Sequence, residues 1–74
     1  MNKIRDKKLL LSFGDHLRLL RKKNDLTIEA LAIEADVEIS QIYRIEKGLV
    51  NPTLSTLSNL AKALNTTLPE LMNF

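Results

Sequence analysis

A chain of 74 residues makes one domain, and at this size only about 60% of the unfolded chain's surface can be buried, so one small core is expected and a second copy would add stability. With no cysteine there is no disulfide framework and no thiolate metal site, and no apolar run reaches the roughly 20 residues of a membrane span or forms a secretory signal, so a soluble, intracellular protein is expected. The net charge of +2 is unevenly spread: Met1–Asp25 carries eight Lys/Arg against three Asp, Leu26–Glu46 one Arg against five acids, and the remainder two Lys against one Glu.

Residues 1–12 combine the charges of Lys3, Arg5, Asp6, Lys7 and Lys8 with Leu9–Leu11, which suits either a basic extension or the lead-in to a helix; the domain proper is placed at residues 13–74. Leu10, Phe13, Leu17 and Leu20 recur at helical spacing, so a first helix is predicted from about Ser12 to Asn24, with Ser12 and Asp15 as a potential capping box. Gly14 inside that helix costs roughly 1 kcal/mol relative to Ala, and close approach of another helix is the reason expected for it. Leu11 and Leu19 fall off the apolar stripe.

Asn24 and Asp25 stop this helix, and Thr27 caps a second, Ile28 to Ala35, with Glu29 in the first turn, where the helix dipole favours an anion. Ala30, Ala32 and Ala35 are small enough to let a neighbouring helix cross closely. Asp36 takes the turn, where a left-handed conformation is expected, and Val37 plugs the corner. A third helix runs from Ile39 to Lys47 and ends at Gly48. At 100° per residue, Ile42 and Ile45 share one side of it, while Ser40, Tyr43, Arg44 and Lys47 share the other. One face suits a core; the opposite face is left to read something.

Asn51 and Pro52 break the chain again. Thr53 caps a fourth helix with Leu54, Leu57, Leu60, Ala61 and Leu64 as its apolar stripe, Asn65 ends it, and Thr67 caps a short last helix with Pro69 and Glu70 in its first turn. The fold class is therefore all-α, with five helices.

The runs FGDHLRLLRKKNDLT, Leu31-Ala32, IYRIEKG, NPTLSTL and LAKALNTTLPELM occur here at fixed spacing. Over residues 13–74 the chain resembles the lambda-repressor-like helix-turn-helix family of Cro and phage repressors, the XRE family of bacterial regulators, in its small single-domain form. Restriction-modification controller proteins are similar in size and layout. The resemblance implies a compact five-helix domain whose third helix enters the DNA major groove while the start of the second helix and the loop after the third touch phosphates. It also implies an ion pair between Arg21 and Glu46.

Residue by residue, the base contacts implied are Ser40 and Arg44, with Glu38, Gln41 and Tyr43 as further candidates. Arg44 suits a bidentate contact to guanine, and Glu38 could accept from cytosine N4 or simply sit well at a helix start. Tyr43 could meet the backbone or a thymine methyl, or lie across its neighbours. Ile39 stands between core margin and apolar contact with DNA. Phosphate contacts are assigned to Thr27, Ile28, Lys47 and Asn51; the family commonly has Gln where this chain has Ile28, so Thr27 and the helix amides remain to hold a phosphate there. Lys47 also suits a helix C-terminus, and Asn51 a turn before Pro52. Leu49, Val50, Leu71, Met72 and Phe74 are the candidate homodimer interface.

The function expected is a sequence-specific, DNA-binding transcriptional regulator, a repressor that holds a pseudo-palindromic operator as a homodimer. Double-stranded DNA is its partner, with no membrane, no small-molecule effector and a cytoplasmic, nucleoid-associated place in a bacterial or phage setting. No cofactor, metal or catalytic constellation is found, so no enzymatic activity is expected; His16 has no partner acid or nucleophile pattern. The acidic helix-turn-helix and the missing Gln keep a rival open: a protein-interaction module, antitoxin-like or adaptor, on the same fold.

Overall fold

The computed structural model describes residues 6–74, in which the helices are α1 (Lys7–Lys23), α2 (Ile28–Ala35), α3 (Ile39–Glu46), α4 (Leu54–Ala63) and α5 (Leu68–Leu71). Three of the five begin in the same way. The hydroxyls of Thr27, Thr53 and Thr67 accept from the amides of Ala30, Thr56 and Glu70 at 3.0, 3.1 and 3.3 Å, each satisfying a donor that the helix itself leaves without an acceptor.

Four of them end in the same way too. Asp25, Asp36, Gly48 and Asn65 all have positive φ, at 56°, 57°, 71° and 57°. In each case the next amide reaches back into the last turn: Leu26 to the Arg21 carbonyl, Val37 to Ala32, Leu49 to Arg44 and Thr66 to Ala61, at 2.9 to 3.1 Å. This is the Schellman arrangement, and it reverses the chain within two residues. Of these four positions only one is glycine; Asp and Asn serve at the other three because a short polar side chain tolerates the left-handed region better than most.

The core is built from Phe13 and Leu17 of α1, Leu31, Ala32 and Ala35 of α2, Ile42 and Ile45 of α3, Leu60 and Ala61 of α4, and Leu64 and Leu71 beyond it. Around it α1 packs on α3, α2 on both α3 and α4, and α4 on α5. Gly14 lets α1 come close to the end of α3: a Cβ there would lie 2.5 Å from the Glu46 carbonyl oxygen and 2.6 Å from that of Ile45.

Several expectations need correction. Helix α1 begins at Lys7, about a turn earlier than Ser12, so residues 7–12 are its lead-in, Ser12 is an exposed interior residue, and the capping box with Asp15 does not form; Asp15 instead meets Arg18 at 3.3 Å on the surface. The extra turn has a use, since Leu11 lies against Gly48 and the end of α3. Helix α3 stops at Glu46, with Lys47 as its cap. Leu54, placed on the core stripe of the fourth helix, is 70% exposed, because as the first helical residue it projects past the edge of the core. Leu71, placed at the dimer interface, is fully buried in the monomer core and offers nothing to a second copy. Lys3 and Arg5 lie outside the described residues.

Candidate nucleic-acid interface

Helix α3 is amphipathic, and the halves of its surface have separate tasks. Ile42 and Ile45 are buried at 0% and 1% exposure, which fixes the helix in rotation. On the opposite face Ser40, Tyr43, Arg44 and Lys47 are all exposed, with Gln41 half-buried on the flank. Lys47 places its ammonium 5.5 Å from the centre of the Tyr43 ring, a cation–π contact that steadies the ring along the helix surface. Arg44 makes no hydrogen bond or ion pair among the described residues, so its guanidinium keeps its donor fork free for a ligand.

The position of α3 is set by a buried ion pair. Arg21 of α1 donates from Nε to Glu46 Oε2 at 2.6 Å and from a terminal nitrogen to Oε1 at 3.0 Å, a bidentate geometry. Its other terminal nitrogen donates to the Leu26 carbonyl at 2.9 Å, in the turn just before the Thr27 cap. One side chain therefore ties together the end of α3 and the beginning of α2. The hydrogen bonds to Glu46 hold the Arg21 guanidinium above its ordinary pKa, against the opposing pull of burial. The family resemblance implied the pairing of Arg21 with Glu46 but not the Leu26 contact, since a backbone acceptor leaves no residue-type signal.

At the start of α2 the Thr27 hydroxyl accepts from the Ala30 amide and keeps its own O–H as a donor, and beside it stand the amides of Ile28 and Glu29, which no helical carbonyl reaches. The Ile28 side chain has no polar atom to offer a phosphate. It lines an open groove between the two helices with Thr27, Glu29, Ile39, Ser40 and Tyr43, with Arg21 at its base. Glu38, exposed, precedes α3 as its N-terminal cap position without a side-chain cap bond, and stands at the border of this groove. Beyond the other end of α3, Asn51 is exposed and shares a second groove with Lys7, Leu10 and Leu49–Val50. Ser40, Tyr43 and the start of α2 thus line one groove, Arg44 stands exposed on the same helix as Ser40 and Tyr43, and Asn51 lies past the C-terminus of α3.

The remaining candidates sit elsewhere. Leu49, Met72 and Phe74 are 66%, 43% and 46% exposed, and Val50 is half-buried. Phe74 folds its ring against Phe13, 5.5 Å between centres, and stacks on His16 at 5.7 Å. His16 is therefore a packing residue between the C-terminus and α1. No group of His, Asp and Glu with the geometry of a metal site occurs among the described residues.

A fold of this outline has known relatives. The profile of the helix-turn-helix family, HTH_3, matches residues 17–71, from the middle of α1 to the end of α5. The chain belongs to the helix-turn-helix family. This regulator is 41% identical over 59 residues to the control protein C.SmaI of Serratia marcescens, covering 80% of this chain and 70% of that one. It is 34% identical over 65 residues to the control protein C.BamHI of Bacillus amyloliquefaciens, covering 86% and 80%. In three dimensions it is similar to the restriction-modification controller protein C.AhdI from Aeromonas hydrophila, with a TM-score of 0.82 and 35% identity over 84% of this chain and 94% of that one. The regulator is thus a DNA-binding transcription factor of the all-α, XRE-like kind.

Proposed function

We propose that the protein is a homodimeric operator-binding regulator that inserts α3 into the DNA major groove and controls the genes of a restriction-modification system. The observation that carries the DNA-reading half is the surface of α3: Arg44 and Ser40 stand exposed one turn apart, opposite a buried Ile42–Ile45 face, on a helix locked by the Arg21–Glu46 pair. Arg44 is assigned to guanine O6 and N7, Ser40 to an adjacent base or phosphate, and Gln41, Tyr43 and Glu38 to the edges of the same site. The amides at the start of α2, with Lys47 and Asn51, are assigned to phosphates. The restriction-modification role is supported by the names of the relatives, two of them control proteins and one a solved restriction-modification controller.

A second copy is proposed to pack on the exposed apolar residues Leu49, Met72 and Phe74, with Val50 at their margin. Twofold symmetry would then set two α3 helices about one DNA turn, roughly 34 Å, apart and make the operator a pseudo-palindrome. Repression by occupying such a site and a cytoplasmic location, where the DNA is, complete the reading. No helix among the described residues is long and apolar enough to cross a membrane.

The test is selection of binders from a random duplex library. Enrichment of a palindrome whose half-sites carry a guanine, lost with Arg44→Ala while the melting curve is unchanged, is the expected outcome. Recovery of no sequence by the wild type would favour the rival, a protein-interaction module, for which the acidic composition of Leu26–Glu46 speaks.

A further inference from the structure

We infer that the groove between α2 and α3 is a reader of the pyrimidine C5 methyl group, with the side chains of Ile28 and Ile39 as its walls and Tyr43 at its edge. This deepens the DNA-binding reading above and rests on it. Ile28 and Ile39 are the first residues of α2 and α3, and both line the same open groove, alongside Thr27 and Ser40. Ile39 is 49% exposed and Tyr43 50%, so this apolar surface is not used up by the monomer core.

Two of the polar groups of the groove already have partners within the protein. The Arg21 guanidinium is held by Glu46 and the Leu26 carbonyl, and the Thr27 hydroxyl accepts from the Ala30 amide. The two walls themselves, Ile28 and Ile39, carry no side-chain donor; the hydroxyls of Thr27, Ser40 and Tyr43 stand beside them, and the charges at the border, Glu29 and Glu38, are acceptors. A base acceptor set against these two side chains would lose its water without replacement. The one apolar group that DNA displays in the major groove is the methyl at C5 of a pyrimidine.

Thymine supplies that methyl, and so does 5-methylcytosine, which places it at the same position. The two differ beside it. Thymine shows an acceptor at C4, whereas methylated cytosine shows an amino donor, which the Glu38 carboxylate can accept. The chemistry shared by both sources is the methyl, and the nucleotide chemistry separates them.

The test starts from the duplex selected by the wild-type protein. Each thymine is replaced singly by uracil, and each cytosine singly by 5-methylcytosine, and affinities are measured for the wild type, Ile39→Ala, and Ile39→Val as a milder variant that retains most of the packing. At one position per half-site, the methylated base is expected to bind the wild type roughly fourfold more tightly than its unmethylated counterpart, the factor that burial of one methyl-sized group gives. Ile39→Ala should erase that ratio at that position and Ile39→Val should reduce it, while the preference for guanine assigned to Arg44 persists in both. An effect at a thymine identifies thymine as the source, and one at a cytosine identifies the modified base. A methyl effect below twofold at every position, or one that Ile39→Ala leaves intact, overturns the inference while DNA binding stands. Selection of no duplex at all by the wild type overturns the DNA-binding reading itself, and this inference with it.

Discussion

Arg21 is the side chain through which most of the interface geometry passes. It is 8% exposed and its partner Glu46 7%, so the pair lies in a region where a lone charge would be strongly disfavoured. Arg21→Ala, which leaves Glu46 without its partner, is expected to lower the unfolding free energy by about 3–5 kcal/mol, whereas Arg21→Met combined with Glu46→Leu should be close to neutral. Urea unfolding of the wild type and both variants checks this, and an unchanged midpoint for Arg21→Ala would refute it. The sign of any pH effect follows from the raised pKa of Arg21. Its contribution is fully present below the ordinary guanidinium value and is lost only as pH rises through the still higher folded value. The difference in stability between the wild type and the double variant should therefore show no loss from Arg21 between about pH 7 and 10. Gly14 is the other constrained residue. A methyl there meets two backbone carbonyls rather than a flexible side chain, so α1 and α3 must separate. Gly14→Ala is expected to cost about 1–3 kcal/mol despite the better helix propensity of alanine, as read from the same urea titrations. The residue type at position 14 announced a close approach; that the approach is to the Glu46 carbonyl, beside the ion pair, needed the fold.

At the scale of elements, the chain relies on a repeated pair of devices: a threonine to begin a helix and a left-handed residue to end it. Thr53→Ala removes the hydroxyl that accepts from the Thr56 amide and should cost about 1 kcal/mol. Asp36 is the more telling position, because its φ of 57° sets the turn between α2 and α3 and with it the angle of the reading helix. Asp36→Gly is expected to hold or slightly raise the melting temperature, and Asp36→Val to lower stability by about 1–2 kcal/mol, since a β-branched residue is least suited to that region. Equal melting temperatures for the two variants would show that the turn relaxes to another conformation. These boundaries were legible in the sequence because capping is local chemistry, decided within four residues. The start of α1 was not: Asp6 occupies its cap position but makes no side-chain cap bond, and Leu11 in the added turn lies against Gly48, distant in sequence. For the same reason the apolar residues of the groove were ambiguous: Ile39 has the composition of a core residue, and only the placement of α2 beside α3 turns it outward.

For the molecule as a whole, the uneven charge decides how it must work. The helix-turn-helix segment is acidic, so on the proposed function attraction to DNA would rest on Arg44, Lys47 and the basic residues of the first third. If a dimer makes about 6–10 phosphate contacts, its affinity should fall by ~10³ to 10⁵ between 50 and 200 mM salt, and a much shallower slope in a binding titration would mean that few phosphates are touched. Dimerisation should also appear as a melting temperature that rises with protein concentration, and Leu49→Glu should abolish that rise while leaving the helical signal intact. A monomer at micromolar concentration, with and without DNA, would remove the proposed interface. Leu71 shows why such a surface is hard to read from a sequence. Its apolar neighbours Met72 and Phe74 are 43% and 46% exposed, yet Leu71 is wholly internal, because α5 is a single turn whose burial depends on where it docks against α4. By itself the sequence determined the order of the five helices, the threonine caps of α2, α4 and α5 and the two faces of α3, which follow from spacing and local hydrogen bonding, and its motifs carried the family resemblance. The tertiary structure alone decided that Arg21 joins α3 to the turn before α2, that Leu71 belongs to the core, and that Ile28 and Ile39 line one groove, because each depends on contacts between residues distant along the chain.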